Sequence, residues 1–370
     1  MRVSSRALGS WHTSVSIAAA PGVQACREPV QGYPQRVTNA IPQLDLGTPV
    51  PVSVVMPVLN EEPFLAAACD AVLNNGYDGP LELVIALGPS TDGTDAIAEA
   101  IAADHRVILV ANPTGATPSG LNLAIAASRH PVIVRTDGHA RLPHGYLADA
   151  VAVLARTGAA NVGGRMVPTA HTVLGKAIAV GMSSPWGIGG AGHRVGGVAG
   201  PADSVYLGAF RREALRAVGG FDDHFIRAQD WELNYRLRRA GFEVYFVPTM
   251  RVPYEPRRSW RALARQFHES GRWRREVVRA HPDSRSLRYF AAPVATLAVG
   301  GGIVAGLVGL VTTLDWLALG FVAPLAYVAG VMLASITHLR DLPARSLALL
   351  PGVFATMHMA WGAGYLRGIR

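Results

Sequence analysis

Cysteine and lysine are almost absent from this 370-residue chain. The only cysteines are Cys26 and Cys69, and the only lysine is Lys176. Two cysteines exclude a disulfide framework and a thiolate metal site. Arginine therefore carries nearly all of the positive charge, which we attribute to codon bias of a GC-rich genome rather than to chemistry.

Charge of either sign is also scarce, because only 16% of the residues are charged while 50% are hydrophobic. The apolar excess lies after residue 290, where segments 291–313, 316–337 and 346–366 are nearly free of charge. Each has the ~20 residues that a helix needs to cross a bilayer. We therefore expect residues 290–370 to be a membrane region with two to three apolar helices.

A strongly basic stretch, residues 257–289, directly precedes the first apolar segment and holds ten arginines against three acidic residues. Such a run can bind nucleic acid, but beside a membrane segment a cytoplasmic flank facing anionic lipid is favoured. Its apolar residues recur at i, i+3, i+4 and i+7, which predicts an amphipathic juxtamembrane helix. That helix can lie on the membrane or pack on the neighbouring domain. The expected partners include membrane lipids and no nucleic acid.

The first 48 residues carry arginines and a short apolar run that loosely resembles a secretion signal. Ser, His and Thr interrupt the run, and it ends in Pro-Gly. We expect residues 1–48 to be a mostly disordered leader.

From residue 50 onward, apolar runs alternate with helical patterns. The predicted strands are 52–58, 81–87, 106–111 and 132–136, and the predicted helices between them are 61–75, 92–103 and 118–129. This alternation predicts an α/β domain over residues 49–256, with a mostly parallel, Rossmann-like sheet and helices on both faces. In such sheets ligands bind beyond the carboxyl ends of the strands.

Polar residues do follow the predicted strands: Asn60 and Glu61, then Asp92, then Asp137 and His139. Residues i and i+2 of a strand point to the same side, so Asp137 and His139 are expected to face the same way at the ligand edge of the sheet. Gly138 between them lets a bulky anion approach the backbone. A carboxylate there can hold a divalent cation that neutralises a diphosphate. A histidine ligand would suit Mn²⁺ better than Mg²⁺. Alternatively, His139 only hydrogen-bonds a phosphate or caps a turn.

Asp230 begins a predicted helix, 230–240, that follows the turn GGFDD. It can be an N-cap. Next to Trp231, whose ring can stack on a sugar, it can also act as a general base that accepts a hydroxyl proton from an acceptor.

Residues 181–201 are rich in glycine, and GIGGAG at 187–192 matches G-x-G-x-x-G. A dinucleotide site needs a strand before this pattern and a helix after it, and neither is predicted, so we exclude it. The segment is interpreted as a mobile loop over the site or as a flexible connector.

In this order, the stretches VSVVMPVLNEE, GPSTDGT, DGH and GGFDDHFIRAQDWELNYRLRRAG resemble the inverting family 2 glycosyltransferases of the GT-A fold. The tail YEPRRSWRALARQFHESGRWRREVVRAHP, with the apolar segments after it, is similar to the succinoglycan-type branch. That branch contains membrane-anchored bacterial glucosyltransferases that extend a lipid-linked sugar. The resemblance covers about residues 50–366.

The resemblance implies roles for individual residues. Asp137 would be the first acid of the family's D-x-D motif, with His139 in place of the second, and both would hold the metal. Asp230 would be the catalytic base. The residues implied to bind nucleotide or substrate are Pro57, Asn60, Glu61, Asp92, Asn122, Trp231, Gln266, Arg272 and Trp273. The last three resemble the Q-x-x-R-W motif of processive synthases at a longer spacing, and we infer no processivity from it.

One departure affects the donor. The family's Asp-Asp-Gly-Ser-Thr-Asp stretch reads Leu87–Asp92 here, and its first two acids are missing. The alternative to nucleotide binding is that Asp92 only caps the following helix. A UDP-sugar is the expected donor, but these residues leave its base open.

We therefore expect an inverting glycosyltransferase with Mn²⁺ or Mg²⁺ that moves a sugar from a nucleoside-diphosphate sugar to a lipid-linked saccharide, such as a polyprenyl-linked one. The predicted location is the plasma membrane, with several spans and a cytoplasmic catalytic domain. Residues 313–315 would then lie outside and 338–345 inside. The third apolar segment is a full span or is re-entrant or interfacial. The alternatives are a polyprenyl-phosphate sugar synthase and a catalytically degenerate membrane scaffold.

Overall fold

The structure is a computed structural model that describes residues 43–45, 47–190 and 192–369. The strands are β1 Val52–Val58, β2 Leu81–Leu87, β3 Val107–Ala111, β4 Val132–Arg135, β5 Asn161–Pro168, β6 Gly200–Pro201, β7 Tyr206–Arg211 and β8 Val244–Tyr254. The helices are α1 Leu65–Leu73, α2 Thr94–Ile101, α3 Thr117–Ala127, α4 Tyr146–Thr157, α5 Val173–Ser183, α6 Pro185–Ile188, α7 Gly192–Val195, α8 Arg212–Ala217, α9 Gln229–Arg239, α10 Trp260–Ala280, α11 Arg288–Val311, α12 Val322–Ile336, α13 Ala344–Leu347 and α14 Leu350–Arg367.

All of these strands belong to one mixed sheet with the order β3-β2-β1-β4-β7-β5-β8-β6. The first four in this order are parallel, as are β5 and β8. Strand β7 runs antiparallel between β4 and β5, and β6 pairs antiparallel with β8. Strands β1 to β4, which alternate with helices along the chain, thus form the parallel half of the sheet. A helix between two strands provides the long crossover that parallel pairing needs.

The predicted first four strands are confirmed. Because the parallel strands are covered on both faces, their residues are mostly apolar rather than alternating, and the buried polar pair Ser53 and Glu82 is joined by a hydrogen bond of 2.6 Å. Val54 and Met56 contribute to a core on one face of the sheet, and Val55 and Ile133 to a core on the other. The expected α/β fold with a mostly parallel sheet and helices on both faces is therefore confirmed.

Within the described residues, three helical segments are long and apolar enough to cross a membrane, namely Arg288–Val311, Asp315–Ile336 and Ala344–Arg367. The second includes a 3-10 turn, Asp315–Phe321, before α12. The first two have 11% of their most apolar window buried and the third has 33%. The third segment therefore has more protein around it than the other two.

The extra burial of the third segment comes from α10, which lies along α14. The ring of Trp260 lies against Gly352, and Gly271 is packed on the backbone of Trp361, so the two helices run in the same direction. The predicted amphipathic helix thus exists, but its apolar residues Leu263 and Phe267 are buried among residues of α5 and α14. Of the two arrangements considered from the sequence, packing on protein is observed.

The predicted leader, residues 1–48, lies almost entirely outside the described residues.

Candidate active site

The candidate site lies where the strand order changes direction. Strands β2 and β3 lie on one side of β1, and β4 lies on its other side. The loops after β1 and β4 diverge at this point, which leaves a crevice at their carboxyl ends. Asn60 and Glu61 follow β1, and Asp137 and His139 follow β4.

Arg135, the last residue of β4, joins the two carboxylates that the sequence singled out. One of its terminal nitrogens donates to Asp137 Oδ1 at 2.9 Å, and the other donates to Asp230 Oδ1. The Arg135 side chain is only 6% exposed, while those of Asp137 and Asp230 are 22% and 35% exposed. The two acids, 93 positions apart in the chain, therefore open onto one cleft.

Two opposing effects act on the pKa of Asp137. Burial raises it, but the positive charges of Arg135 and His139 and the hydrogen bond from Arg135 outweigh burial, so the pKa lies below its usual value. Asp137 is thus an anion at neutral pH, as a metal ligand must be.

The turn after β4 differs from the prediction. Because β4 ends at Arg135, Asp137 and His139 lie in a turn and strand alternation does not orient them. The space above Gly138 is filled by Glu61 and Val58, whose side-chain atoms would lie 2.9 Å from an added Cβ. Glycine is therefore required there for close packing of the turn against the loop after β1, not for the approach of an anion.

Glu61, which packs on Gly138, also contacts the neighbouring His139. Its Nδ1 lies 2.8 Å from Glu61 Oε1, and this hydrogen bond raises the pKa of His139. Within the described part of the chain, Nε2 has no partner. His139 thus has one ring nitrogen left for a metal or a phosphate.

The donor set fits a cation that the substrate helps to hold. Among the described residues, no group of three or more His, Cys, Asp or Glu side chains could hold a metal ion. Asp137, with Nε2 of His139 near it, offers an ionised oxygen and an imidazole. Mg²⁺ and Mn²⁺ at sugar-nucleotide sites take one or two protein ligands and complete their shell with phosphate oxygens and water. The residues present fit such an ion.

The loops after β1 and β2 are joined by hydrogen bonds. Asn60 has a left-handed backbone, with φ of 55°, and its Oδ1 accepts from the Thr91 N–H at 2.8 Å. Asn60 N–H donates to Ser90 Oγ at 3.1 Å. A strained non-glycine residue at the end of a ligand-side strand is typical of functional sites. Pro57, half-buried in β1, packs against Gly120 of α3, where an added Cβ would lie 3.1 Å from the Cβ of Pro57.

Both carboxylate oxygens of Asp92 accept hydrogen bonds from the protein backbone. Its Oδ1 accepts from the N–H of Thr94 at 3.1 Å, and its Oδ2 accepts from the N–H of Glu62 at 3.3 Å. These bonds describe the start of α2, which is the capping alternative weighed from the sequence.

Asn122 is similarly committed. Its amide exchanges two hydrogen bonds with the backbone of Phe221, at 2.8 Å and 2.9 Å. The structure therefore does not leave it open to a nucleotide; it fixes the turn that precedes Asp230. Ala228, two residues before Asp230, has a φ of 62°, which turns the chain sharply into α9.

Trp231 already has stacking partners from the protein. The guanidinium carbon of Arg274 lies 4.3 Å from the centre of its ring, and the ring of Tyr235 stacks on it at 5.6 Å. The sugar stacking expected of Trp231 would have to compete with these contacts, each of which stabilises the ring.

The three residues matched to Q-x-x-R-W do not line the cleft. Arg272 donates from Nε to the carbonyl of Gly368 at 2.9 Å, and Trp273 is buried against Phe225. Gln266 donates to the hydroxyl of Tyr254 at 3.2 Å. Arg274, one position further along the helix, is the residue that reaches Trp231. Each residue turns an α-helix by about 100°, so Arg272 and Trp273, two positions and one position before Arg274, point in other directions from α10.

The glycine-rich segment is more ordered in its backbone than predicted. It contains the end of α5, the short helices α6 and α7, and the start of β6. Its beginning is tied to the apolar helices, since Ser184 Oγ lies 3.0 Å from His338 Nε2 and the carbonyl of Trp186 lies 2.7 Å from His358 Nε2. It therefore links the catalytic cleft to the apolar helices.

Comparisons with known proteins agree with this fold. The mannosyltransferase PcManGT from Pyrobaculum calidifontis, solved with GDP-Man and Mn²⁺, superposes with a TM-score of 0.54 at 20% identity, over 89% of this chain and 90% of that one. This likeness shows the fold, a glycosyltransferase fold of the GT-A type.

The sequence comparisons give the family. The family model described as "Glycosyl transferase family 2" matches residues 53–219, and the model described as "Glycosyltransferase like family 2" matches residues 189–275. "Succinoglycan biosynthesis protein ExoA" of Rhizobium meliloti is 30% identical over 320 residues, which are 85% of this chain and 93% of that protein. The chain belongs to glycosyltransferase family 2, and its enzyme class is that of a hexosyltransferase.

Proposed function

We propose that the protein is an inverting glycosyltransferase that moves a sugar from a nucleoside-diphosphate sugar to a lipid-linked saccharide during synthesis of an exopolysaccharide. The observation that carries this proposal is the contact of Asp137 and Asp230 with one guanidinium, that of Arg135. An acid suited to hold a cation and an acid suited to act as a base thus share one cleft. The name of the Rhizobium meliloti relative supports the polysaccharide assignment.

In this proposal Asp230 accepts the proton of the acceptor hydroxyl while that oxygen attacks the anomeric carbon. The bond to the nucleoside diphosphate breaks on the opposite face, so the anomeric configuration inverts. Asp230 is suited to this role because its carboxylate is 35% exposed and lies in the first turn of α9. Arg135 orients its carboxylate through the hydrogen bond between them.

Asp137, with His139 beside it, would hold Mn²⁺ or Mg²⁺. When bound, the ion neutralises charge that develops on the departing diphosphate. The Mn²⁺ and GDP-Man bound to the Pyrobaculum protein support a metal and a nucleotide-sugar donor here. Asn60 and Glu61, on the hydrogen-bonded loops after β1, are proposed to contact the nucleotide, with a UDP-sugar as donor.

The function is tested by product analysis. We expect membranes that contain the protein, given Mn²⁺ and radiolabelled nucleotide sugars in turn, to form one labelled lipid product whose new bond has the opposite anomeric configuration to the donor. A product with the donor's configuration would exclude the inverting mechanism. A labelled lipid that carries a single sugar on phosphate would favour the synthase alternative.

We further propose a membrane arrangement with two spans and one interfacial helix. Residues 49–256 form the catalytic domain on the cytoplasmic side, followed by the basic segment 257–289 at the membrane surface and the membrane region 290–370. In each of the first two apolar segments only 11% of the most apolar window is buried, which suits helices that face lipid. In contrast, α14 lies along the arginine-rich α10, and a helix bound lengthwise to such a partner is suited to the interface.

This arrangement predicts that both ends of the third segment lie on the cytoplasmic side. Single cysteines are introduced by Thr313→Cys and Arg367→Cys in a chain in which Cys26 and Cys69 are replaced by alanine. In intact cells, a membrane-impermeant maleimide should label position 313 and not position 367, while permeabilised cells should label both. Labelling of position 367 in intact cells would show that α14 crosses the membrane.

A further inference from the structure

Three arginines that lack acidic partners surround one side of the cleft. Arg165 extends from β5, Arg194 belongs to α7, and Arg274 belongs to α10. No carboxylate in the described ranges forms an ion pair with any of them. We refer to Arg165, Arg194 and Arg274 as the arginine pocket.

The members of the arginine pocket are close to one another and to the cleft. The guanidinium of Arg165 lies against Gly196, where an added Cβ would be 3.3 Å from one of its nitrogens, and so reaches the end of α7. Helix α7, which carries Arg194, packs against β5, the strand that carries Arg165, and against β8. Arg274 stacks on Trp231, the neighbour of Asp230 in sequence.

Polar atoms in the arginine pocket are buried without partners. Arg165 Nε and Arg274 Nη1 are both shielded from solvent, and within the described residues neither forms a hydrogen bond. Such donors cost free energy when buried, unless an acceptor reaches them. Asp203, the acid that acts on Arg274 from a distance, is itself paired with Arg238 and Arg288 at 3.3 Å and 3.2 Å.

Burial also opposes the positive charge of this region. It lowers the pKa of Arg194 and of Arg274, and together with the charges of those two arginines it lowers the pKa of His193 to about 3. His193 is therefore neutral and contributes no further charge at pH 7. Several guanidinium groups without a counter-ion favour a polyanion, and planar guanidinium forks match phosphate oxygens.

The arginine pocket faces the part of the protein that contacts the apolar helices. Arg274 lies on α10, which packs along α14. Arg194 follows the segment that is anchored to His338 and His358. A Cβ added at Gly189, Gly190 or Gly192 would have no described atom within 4 Å. The proposed donor site is instead on the loops after β1, β2 and β4.

We propose that Arg165, Arg194 and Arg274 bind the phosphate groups that link the acceptor saccharide to its lipid. This inference rests on the proposed function, since it assigns a site for the acceptor of that reaction. The lipid-borne phosphates would lie in the arginine pocket while the sugar end of the acceptor reaches Asp230, next to Trp231.

The proposal is tested with farnesyl diphosphate as a short probe, farnesol as its phosphate-free counterpart, and UDP with Mn²⁺ as the probe of the donor site. Dissociation constants are measured by calorimetry on the detergent-solubilised full chain. Arg194→Gln and Arg274→Gln should each weaken farnesyl diphosphate binding at least tenfold and change UDP binding less than twofold. Arg265→Gln, an exposed arginine on the same helix as Arg274, should change neither.

Circular dichroism and thermal unfolding confirm that each variant is folded. Unchanged farnesyl diphosphate binding in both pocket variants overturns the proposal, as does a parallel loss of UDP binding, which would assign the pocket to the donor. Equal binding of farnesol by the unaltered protein also overturns it, because phosphate would not be recognised. If the unaltered protein bound no farnesyl diphosphate while transferring sugar to a soluble acceptor, the lipid-linked acceptor of the proposed function would be wrong.

Discussion

Asp230→Asn is expected to lower the rate of sugar transfer by about a hundred- to ten-thousandfold, the usual contribution of a general base. Asparagine has nearly the same shape, but its amide cannot accept the hydroxyl proton. UDP binding in the presence of Mn²⁺ should not change, because Asp137 and the loops after β1 and β2 remain. The measurement is single-turnover transfer at saturating donor, paired with calorimetric titration of UDP.

The matched control is Asp222→Asn, which changes an exposed acid of the turn before α9. It should transfer sugar at nearly the original rate. The loss of the Asp230 charge leaves Arg135 with Asp137 as its acidic partner, so a small decrease in melting temperature is expected and is monitored. A variant at Asp230 that retained full turnover would remove the base from the proposed mechanism, and with it the functional meaning of its contact with Arg135.

Asp137→Asn should abolish the dependence of UDP binding on Mn²⁺. The amide oxygen carries no charge and is a poor ligand for a hard cation. Changes to residues that only support metal ligands already cost about 10- to 100-fold in affinity. Loss of the one carboxylate that we propose as a ligand should therefore cost more than about a hundredfold in Mn²⁺-dependent UDP affinity. Transfer should fall in parallel.

Asp95→Asn, an exposed acid in the first turn of α2, serves as the control and should bind UDP and Mn²⁺ as before. The readout is the rise in melting temperature that UDP and Mn²⁺ produce together, which reports binding without requiring turnover. If Asp137→Asn showed the full rise, the metal would have to be held elsewhere. The result for Asp230→Asn would still stand, so the two assignments are tested separately.

The sequence was most informative where local pattern and fold coincide. The first four strands were predictable because each is a short, mostly apolar run bounded by turn residues. Because β1 and β4 are parallel neighbours in the sheet, the residues that follow these two strands lie at the same edge. The proximity of Asp230 to them depends on a contact over more than 90 positions, and the family resemblance, not periodicity, made it predictable.

Other features could not be read from the sequence because they depend on packing in three dimensions. Arg135 ends a buried strand and has no motif of its own; only the fold brings it between two acids. Gly138 was assigned to anion access because the packing of Glu61 against it is not visible in the sequence. Arg274 was missed because a helix turns about 100° per residue, so a match displaced by one residue indicates the wrong face.

The paired helices α10 and α14 have a mechanical consequence. Arg275 donates to the carbonyls of Tyr365 and Leu366, and Arg272 donates to that of Gly368, so the carboxyl end of α14 is fastened to the helix that carries Arg274. These hydrogen bonds couple the two helices, so a displacement of α14 would also displace α10. It would then shift the guanidinium of Arg274, which lies 4.3 Å from the centre of the Trp231 ring beside Asp230.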